Sequence, residues 1–247
     1  MHHGRGTAAK LSNLPSVVLF ATLAGATIPI GGLLARFEHI QPRWLEDELR
    51  HSVIAFGGGI LLAAVALVLV PQGKRFVPPL AAVTIFGAGG IAFFFISCAI
   101  EQRRGSLAQF ATMLLDFVPE SLALGAILAS APETGLLLAL LIATQNLPEG
   151  FNAFRELTEN QSMDPAKVLA GFSSLVLLGP LMAWIGYSYL RLMPELLGGI
   201  MLFAAGGILY LTFQSIAPQA KLERHWAPAL GAVAGFMLGL LGDLLVR

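Results

Sequence analysis

Charge is what this chain has least of. Of its 247 residues only 12% are Asp, Glu, Lys or Arg, about half the share a soluble domain carries. The 15 basic and 15 acidic residues cancel, so there is no net field of the kind that binds nucleic acid. Cysteine is nearly missing, and the lone Cys98 excludes both a disulfide framework and a thiolate metal cluster. No Walker-type phosphate loop occurs, which argues against an ATP-driven pump. Histidine is confined to His2, His3, His39, His51 and His225, in the N-terminal segment or between apolar runs. What is abundant is apolar surface, 56% of the residues, together with 27 glycines. A soluble enzyme, a secreted mini-protein and a disordered tail are all excluded. The composition is that of an all-α polytopic membrane protein.

Apolar runs at about 14–35, 52–70, 76–100, 106–131, 134–154, 168–190, 196–217 and 226–246 predict eight transmembrane helices in a single transmembrane domain, 1–247. Each is close to the roughly 20 residues that cross about 30 Å of hydrocarbon. Helices are expected because lipid cannot satisfy open backbone groups and no alternating barrel pattern is present. The first run is long for a signal-peptide core, so it reads as a retained helix, although ATLAGA at 21–26 imitates a cleavage site. An even number of spans puts both termini on one side. That side has six basic residues (Arg5, Lys10, Lys74, Arg75, Arg191 and Arg247), against nine on the other: Arg36, Arg43, Arg50, Arg103, Arg104, Arg155, Lys167, Lys221 and Arg224. The positive-inside rule then places the termini outside a cell (plasma or inner) membrane. The longest loop, 36–51, contains EDELR and is expected to form a surface helix. Gly-rich stretches at 57–59, 87–90 and 206–207 read as close helix contacts rather than phosphate loops.

Three carboxylates stand where they are expensive: Asp116, Glu120 and Glu149, all inside predicted spans. Each costs about 2.5–3.5 kcal/mol near the middle of an inserted helix. No Lys or Arg lies in the interior of a span to neutralise them. They could be protonated, or their counter-charge could be a cation from solution. Their setting favours the cation. Asp116-Phe-Val-Pro119-Glu120 and Gln145-Asn-Leu-Pro148-Glu149 share one frame, and the i, i+4 spacing stacks each polar pair on one helical face. Each proline lacks an N–H, which frees the carbonyls of Leu115 and Thr144. At 1.5 Å per residue Asp116 and Glu120 lie roughly 15 and 21 Å from the basic side, and Glu149 and Gln145 roughly 12 and 18 Å. Two antiparallel helices thus offer oxygen donors in one layer, with broken backbone of the kind that lines transport cavities.

The two motifs resemble those of the ZIP family of divalent metal transporters. QNLPEG is close to the motif of that family's fifth span, and DFVPESLALG is similar to its His-x-x-Pro-Glu-Gly motif in the fourth. The similarity extends to FGGGILLA in span two and FAAGGILYLTFQSIAPQA in span seven. The resemblance implies a ZIP-like bundle of eight helices with outside termini. It implies metal ligation by Gln145, Asn146 and Glu149 in span five and by Glu120 in span four. Asp116 stands where the family usually has histidine, and Phe117 where asparagine follows. Gln72, Gly179, Gln214 and Gln219 replace residues that are often acidic in the family, and the loop EQRRGS lacks a His-rich tract. Those losses weaken the case for a second metal ion. Asp116, Glu120, Gln145, Asn146 and Glu149 make an all-oxygen donor set, which favours harder ions such as manganese or magnesium without excluding zinc. Cys98 and the seven methionines read as packing residues.

The leading expectation is therefore secondary transport of a divalent cation, of the zinc, manganese, iron or cadmium class, as substrate. No resident cofactor, no catalytic residue and no nucleic acid is expected; the lipid bilayer is the surroundings, and a homodimer is compatible with the sequence. The alternative is a non-transporting or regulatory ZIP-like metal-binding membrane protein. An intramembrane hydrolase pairing Asp116 with Asp243 is the weakest reading, because Asp243 sits at a helix end and Gly171-Phe-Ser173-Ser174 lacks the glycine of a nucleophile elbow.

Overall fold

The structure is a computed structural model, and it describes residues 13–38, 43–102, 106–160, 162–222 and 226–246. The N-terminal segment with His2, His3, Arg5 and Lys10 lies outside these, as do His39, Arg103, Arg104, Arg224, His225 and Arg247. Among the described residues every regular element is helical. Helix α1 is Leu14–Phe37. Helix α2 begins at Arg43 and runs on through a π-helical stretch, Ala64–Leu69, to Val70–Gly73. Helices α3, Pro79–Gln102, and α4, Ser106–Ser130, follow. Helix α5, Pro132–Arg155, ends in a π-turn, Glu156–Asn160. Helix α6, Pro165–Leu192, is interrupted at Leu177; α7 is Pro194–Gln219 and α8 is Pro228–Val246.

Local chemistry explains most of these boundaries. Helices α3, α5, α6, α7 and α8 each start at a proline, whose fixed φ suits the first helical turn and whose missing N–H costs nothing there. Asn13 caps α1 by accepting from the Ser16 N–H, and Asp164 caps α6 through the Ala166 and Lys167 N–H groups. The break at Leu177 precedes Pro180 by three residues, as expected where a proline removes a helical donor. The surface helix expected in loop 36–51 is instead the first two turns of α2, because no proline or glycine stands between Arg43 and the membrane run. The third span begins at Pro79 rather than at residue 76, after the Pro78-Pro79 pair.

Among the described residues seven helices are long and apolar enough to cross a membrane. Helix α5 matches them in length, 24 residues, but carries Glu133, Gln145, Asn146, Glu149 and Arg155 and is not among the seven. The helices sort into two shells. The apolar windows of α2, α4 and α7 are 67%, 61% and 61% buried, whereas those of α3 and α8 are only 17% buried. Leu80, Val83 and Phe95 of α3 and Leu244 and Leu245 of α8 face outward, as expected of a lipid-facing surface.

Each inner helix is backed by one outer helix, in the pairs α5·α1, α2·α8, α7·α3 and α4·α6, and each pair has glycines at its closest approach. A Cβ at Gly31 of α1 would strike the Leu147 carbonyl of α5, and one at Gly150 would strike Ile28. The same reciprocity joins Gly59 to Ala232 and Gly235 to Phe56, Gly89 to Phe203 and Gly206 to Phe86, and Gly125 to Ala183 and Gly186 to Leu122. Backbone packs directly on backbone, the close approach that small residues permit in membranes. Residue numbers rise together across the pairs. Phe117 meets Gly179 and Ala126 meets Gly186; Ser52 meets Gly231 and Ala63 meets Gly239. The partners therefore run parallel.

Candidate functional site

Pro119 and Pro148 both lie inside continuous helices, and they bring the two motifs of α4 and α5 face to face. Asp116, Glu120, Gln145 and Asn146 are all buried, Glu120 completely. Gln145 Nε2 donates to Glu120 Oε2 at 2.6 Å, joining the helices directly. The remaining oxygens of that pair, Glu120 Oε1 and Gln145 Oε1, are buried with no hydrogen-bond partner among the described residues. The Asp116 carboxylate accepts the Phe117 N–H at 2.8 Å. Ionised together, Asp116, Glu120 and Glu149 would repel one another across the site.

A cavity of about 300 Å³ opens from this cluster between α2, α4, α5 and α7. Asp116, Gln145 and Glu149 form part of its wall, and Asn152, Glu156, Ser215 and Gln219 carry the wall toward the ends of α5 and α7. The π-stretch Thr212–Ile216 supplies Ser215 and Ile216 to that wall. It ends two residues before Pro218, as the π-stretch of α2 ends two before Pro71. A proline that cannot donate to its i−4 carbonyl leaves the preceding turn free to widen. In the opposite direction the site is shut. Leu124, Ile127 and Leu128 of α4 and Leu138, Leu141 and Ile142 of α5 are buried in one apolar core. The cavity thus reaches the carboxylates from the side where Asn152, Glu156 and Gln219 lie.

The five residues read from the sequence are not all placed alike. Asp116, Gln145 and Glu149 line the cavity, and Glu120 reaches it through its bond to Gln145. Asn146 turns to α1, where its Nδ2 donates to the Ala24 carbonyl at 3.0 Å. Among the described residues no three His, Cys, Asp or Glu side chains assemble as a metal-holding group. An ion here would have to draw on amide and backbone oxygen as well as carboxylate. Asp243 is not brought to Asp116: its neighbour Gly242 packs on Leu137, beyond the apolar core.

Three residues at the mouth escape a reading based on the two motifs. Asn152 and Glu156 follow Glu149 at i+3 and i+7, a helical periodicity that would have placed them on its face. Asn152 Nδ2 donates to Gln219 Oε1 at 2.9 Å, and Arg50 Nη2 lies 3.5 Å from Asn152 Oδ1. Burial raises the Glu156 carboxyl above its ordinary range, and the Arg50 guanidinium opposes that shift. Arg50 carries no sequence signal, because it comes from a different helix. Comparison of the chain with protein-family models and with curated protein sequences finds no match.

Proposed function

We propose that this protein is a ZIP-like secondary transporter that moves a divalent metal cation through the site between α4 and α5. The observation that carries this reading is the pair of buried, unpartnered oxygens, Glu120 Oε1 and Gln145 Oε1, beside two further carboxylates. Leaving a buried acceptor unsatisfied costs about 1–3 kcal/mol, and mutual repulsion among carboxylates adds to it. A cation relieves both at once. Access from one face, with an apolar layer closing the other, is the arrangement that alternating access requires of one of its two states.

Eight crossings are part of the proposal. Helices α4 and α6 run parallel, so a chain that crosses in both must return between them, and α5 is the segment available. Its polar residues are then tolerated because they face the bundle interior. The basic-residue bias places the cavity mouth in the cytosol of a cell membrane and the termini outside.

Proteoliposome flux of manganese, iron, cobalt, zinc and cadmium tests the reading, with Glu149→Gln as the control. That variant keeps the shape and removes a wall carboxylate, so flux should fall to background while the protein remains folded. Wild-type flux in Glu149→Gln would mean that the carboxylate is no ligand. One observation favours a second reading, a metal-binding relative without turnover: the lack, among the described residues, of a three-acid cluster. Metal binding by the purified protein without flux would select it.

A further inference from the structure

Two charged residues at the cavity mouth take no part in the site itself. Glu156 lines the cavity two helical turns beyond Glu149, in the π-turn that ends α5. Arg50, from α2, stands behind it: its Nη2 lies 3.5 Å from Asn152 Oδ1, and its charge acts on the Glu156 carboxylate. Arg50 Nε is buried and has no hydrogen-bond partner among the described residues. The guanidinium is therefore held by one long contact and by the charge of Glu156 rather than by a bidentate pair, the geometry that would lock it. Arg155, the next cation along, is committed elsewhere, at 3.4 Å from Glu38 and 3.0 Å from Glu159. Among the described residues Arg50 is the cation that acts on Glu156, and it is loosely tethered.

We infer that Glu156 is the point at which cations are collected at the mouth of the cavity, and that Arg50 is a tethered counter-ion that sets how strongly it collects them. The inference rests on reading the cavity as a cation route. A carboxylate on a low-dielectric wall concentrates cations. A tethered arginine beside it cancels most of that attraction at a distance but yields to an ion that comes into contact. Divalent ions gain more from such contact than monovalent ions, since the attraction scales with charge.

The test reads the field at the mouth without depending on transport. In full-length protein carrying Cys98→Ala and Ser215→Cys, the thiol on the cavity wall is labelled with a cationic and with an anionic methanethiosulfonate of similar size. The ratio of the two rates reports the local charge. Arg50→Gln should raise the cation-to-anion ratio about threefold and Glu156→Gln should lower it by about as much, the effect of one charge at a partly screened site. The double variant should return to the wild-type ratio, because the pair is neutral as a whole. Should Arg50→Gln fail to fold, Glu156→Gln and Glu156→Lys carry the test, with the ratio falling in two steps. An unchanged ratio in the Glu156 variants, or shifts of one sign for Arg50→Gln and Glu156→Gln, would overturn the inference. A charge-dependent ratio in a protein that moves no metal would remove the transport reading and leave the collecting point standing. Robust flux with a flat ratio would do the reverse.

Discussion

Gln145 and Glu120 share a hydrogen bond across the α5–α4 boundary, Nε2 to Oε2 at 2.6 Å, and each keeps a buried oxygen with no partner among the described residues. Within this pair only a donor on Glu120 could satisfy Gln145 Oε1, and an ionised carboxylate has none. Gln145 lines the cavity, and Glu120 adjoins it through that hydrogen bond. Both lie close to a proline: Pro119 and Pro148 each remove a helical donor within a few residues. The motif sets buried oxygen acceptors on facing helices without matching donors, a cost that the proposed cation would relieve.

The Glu120–Gln145 pair separates stability from binding. Glu120→Gln keeps the shape, gives the buried pair a second amide and removes a buried charge. Folded stability in detergent should rise by about 1–3 kcal/mol, the worth of a buried unsatisfied group. Metal affinity should fall at least about tenfold, or roughly 1.4 kcal/mol. Thermal unfolding and competition binding measure the two. A variant that loses stability as well as binding would show that the carboxylate is needed for the fold itself.

The architecture tests through its glycines. A Cβ at Gly31 meets the Leu147 carbonyl and the Phe151 N–H of α5, so Gly31→Ala must push α1 away from the helix that carries Gln145 and Glu149. A loss of about 1–3 kcal/mol is expected, the usual scale of overpacking, together with weaker metal binding. Gly87 on α3 has nothing within 4 Å of an added Cβ. Gly87→Ala should therefore be neutral to within about 0.5 kcal/mol. Equal effects of the two alanines on unfolding temperature would contradict the backbone-on-backbone packing.

Much of this was legible in the residue order. Long uncharged runs and prolines at their starts mark where helices begin, because both signals are local. The Pro-Glu frames of α4 and α5 place Asp116, Glu120, Gln145 and Glu149 on two facing helices, as observed. The partner of each helix was not legible. Gly31 meeting Leu147, or Gly125 meeting Ala183, depends on which of many glycine-bearing faces dock, and the pattern of small residues is alike on all of them. The orientation of Asn146 toward Ala24 is a consequence of that docking, since α1 supplies the acceptor. The π-stretches were hidden for a different reason: Pro71 and Pro218 signal a missing donor but not whether the helix bends, breaks or widens.

If the proposed cation binds here, Asp116 bears on which ion is preferred. Its carboxylate lines the cavity with Gln145 and Glu149, and one of its oxygens is held by the Phe117 N–H at 2.8 Å. A carboxylate so placed offers a hard oxygen donor, and the neighbouring Gln145 adds another, so nothing on this wall discriminates for zinc. Asp116→His puts a softer nitrogen donor on the same helical face, one turn from Glu120. Zinc affinity should rise relative to manganese by about tenfold, or roughly 1.4 kcal/mol. The gain is limited by what surrounds the new imidazole. Phe117 is buried and supplies no donor, and Gly179 of α6, which meets the Phe117 ring, has no side chain to add. Competition binding on the purified wild type and variant, with unfolding curves to confirm that both are folded, measures the ratio. An unchanged zinc-to-manganese ratio would show that Asp116 does not touch the ion, and the site would then have to be drawn around Glu120, Gln145 and Glu149 alone.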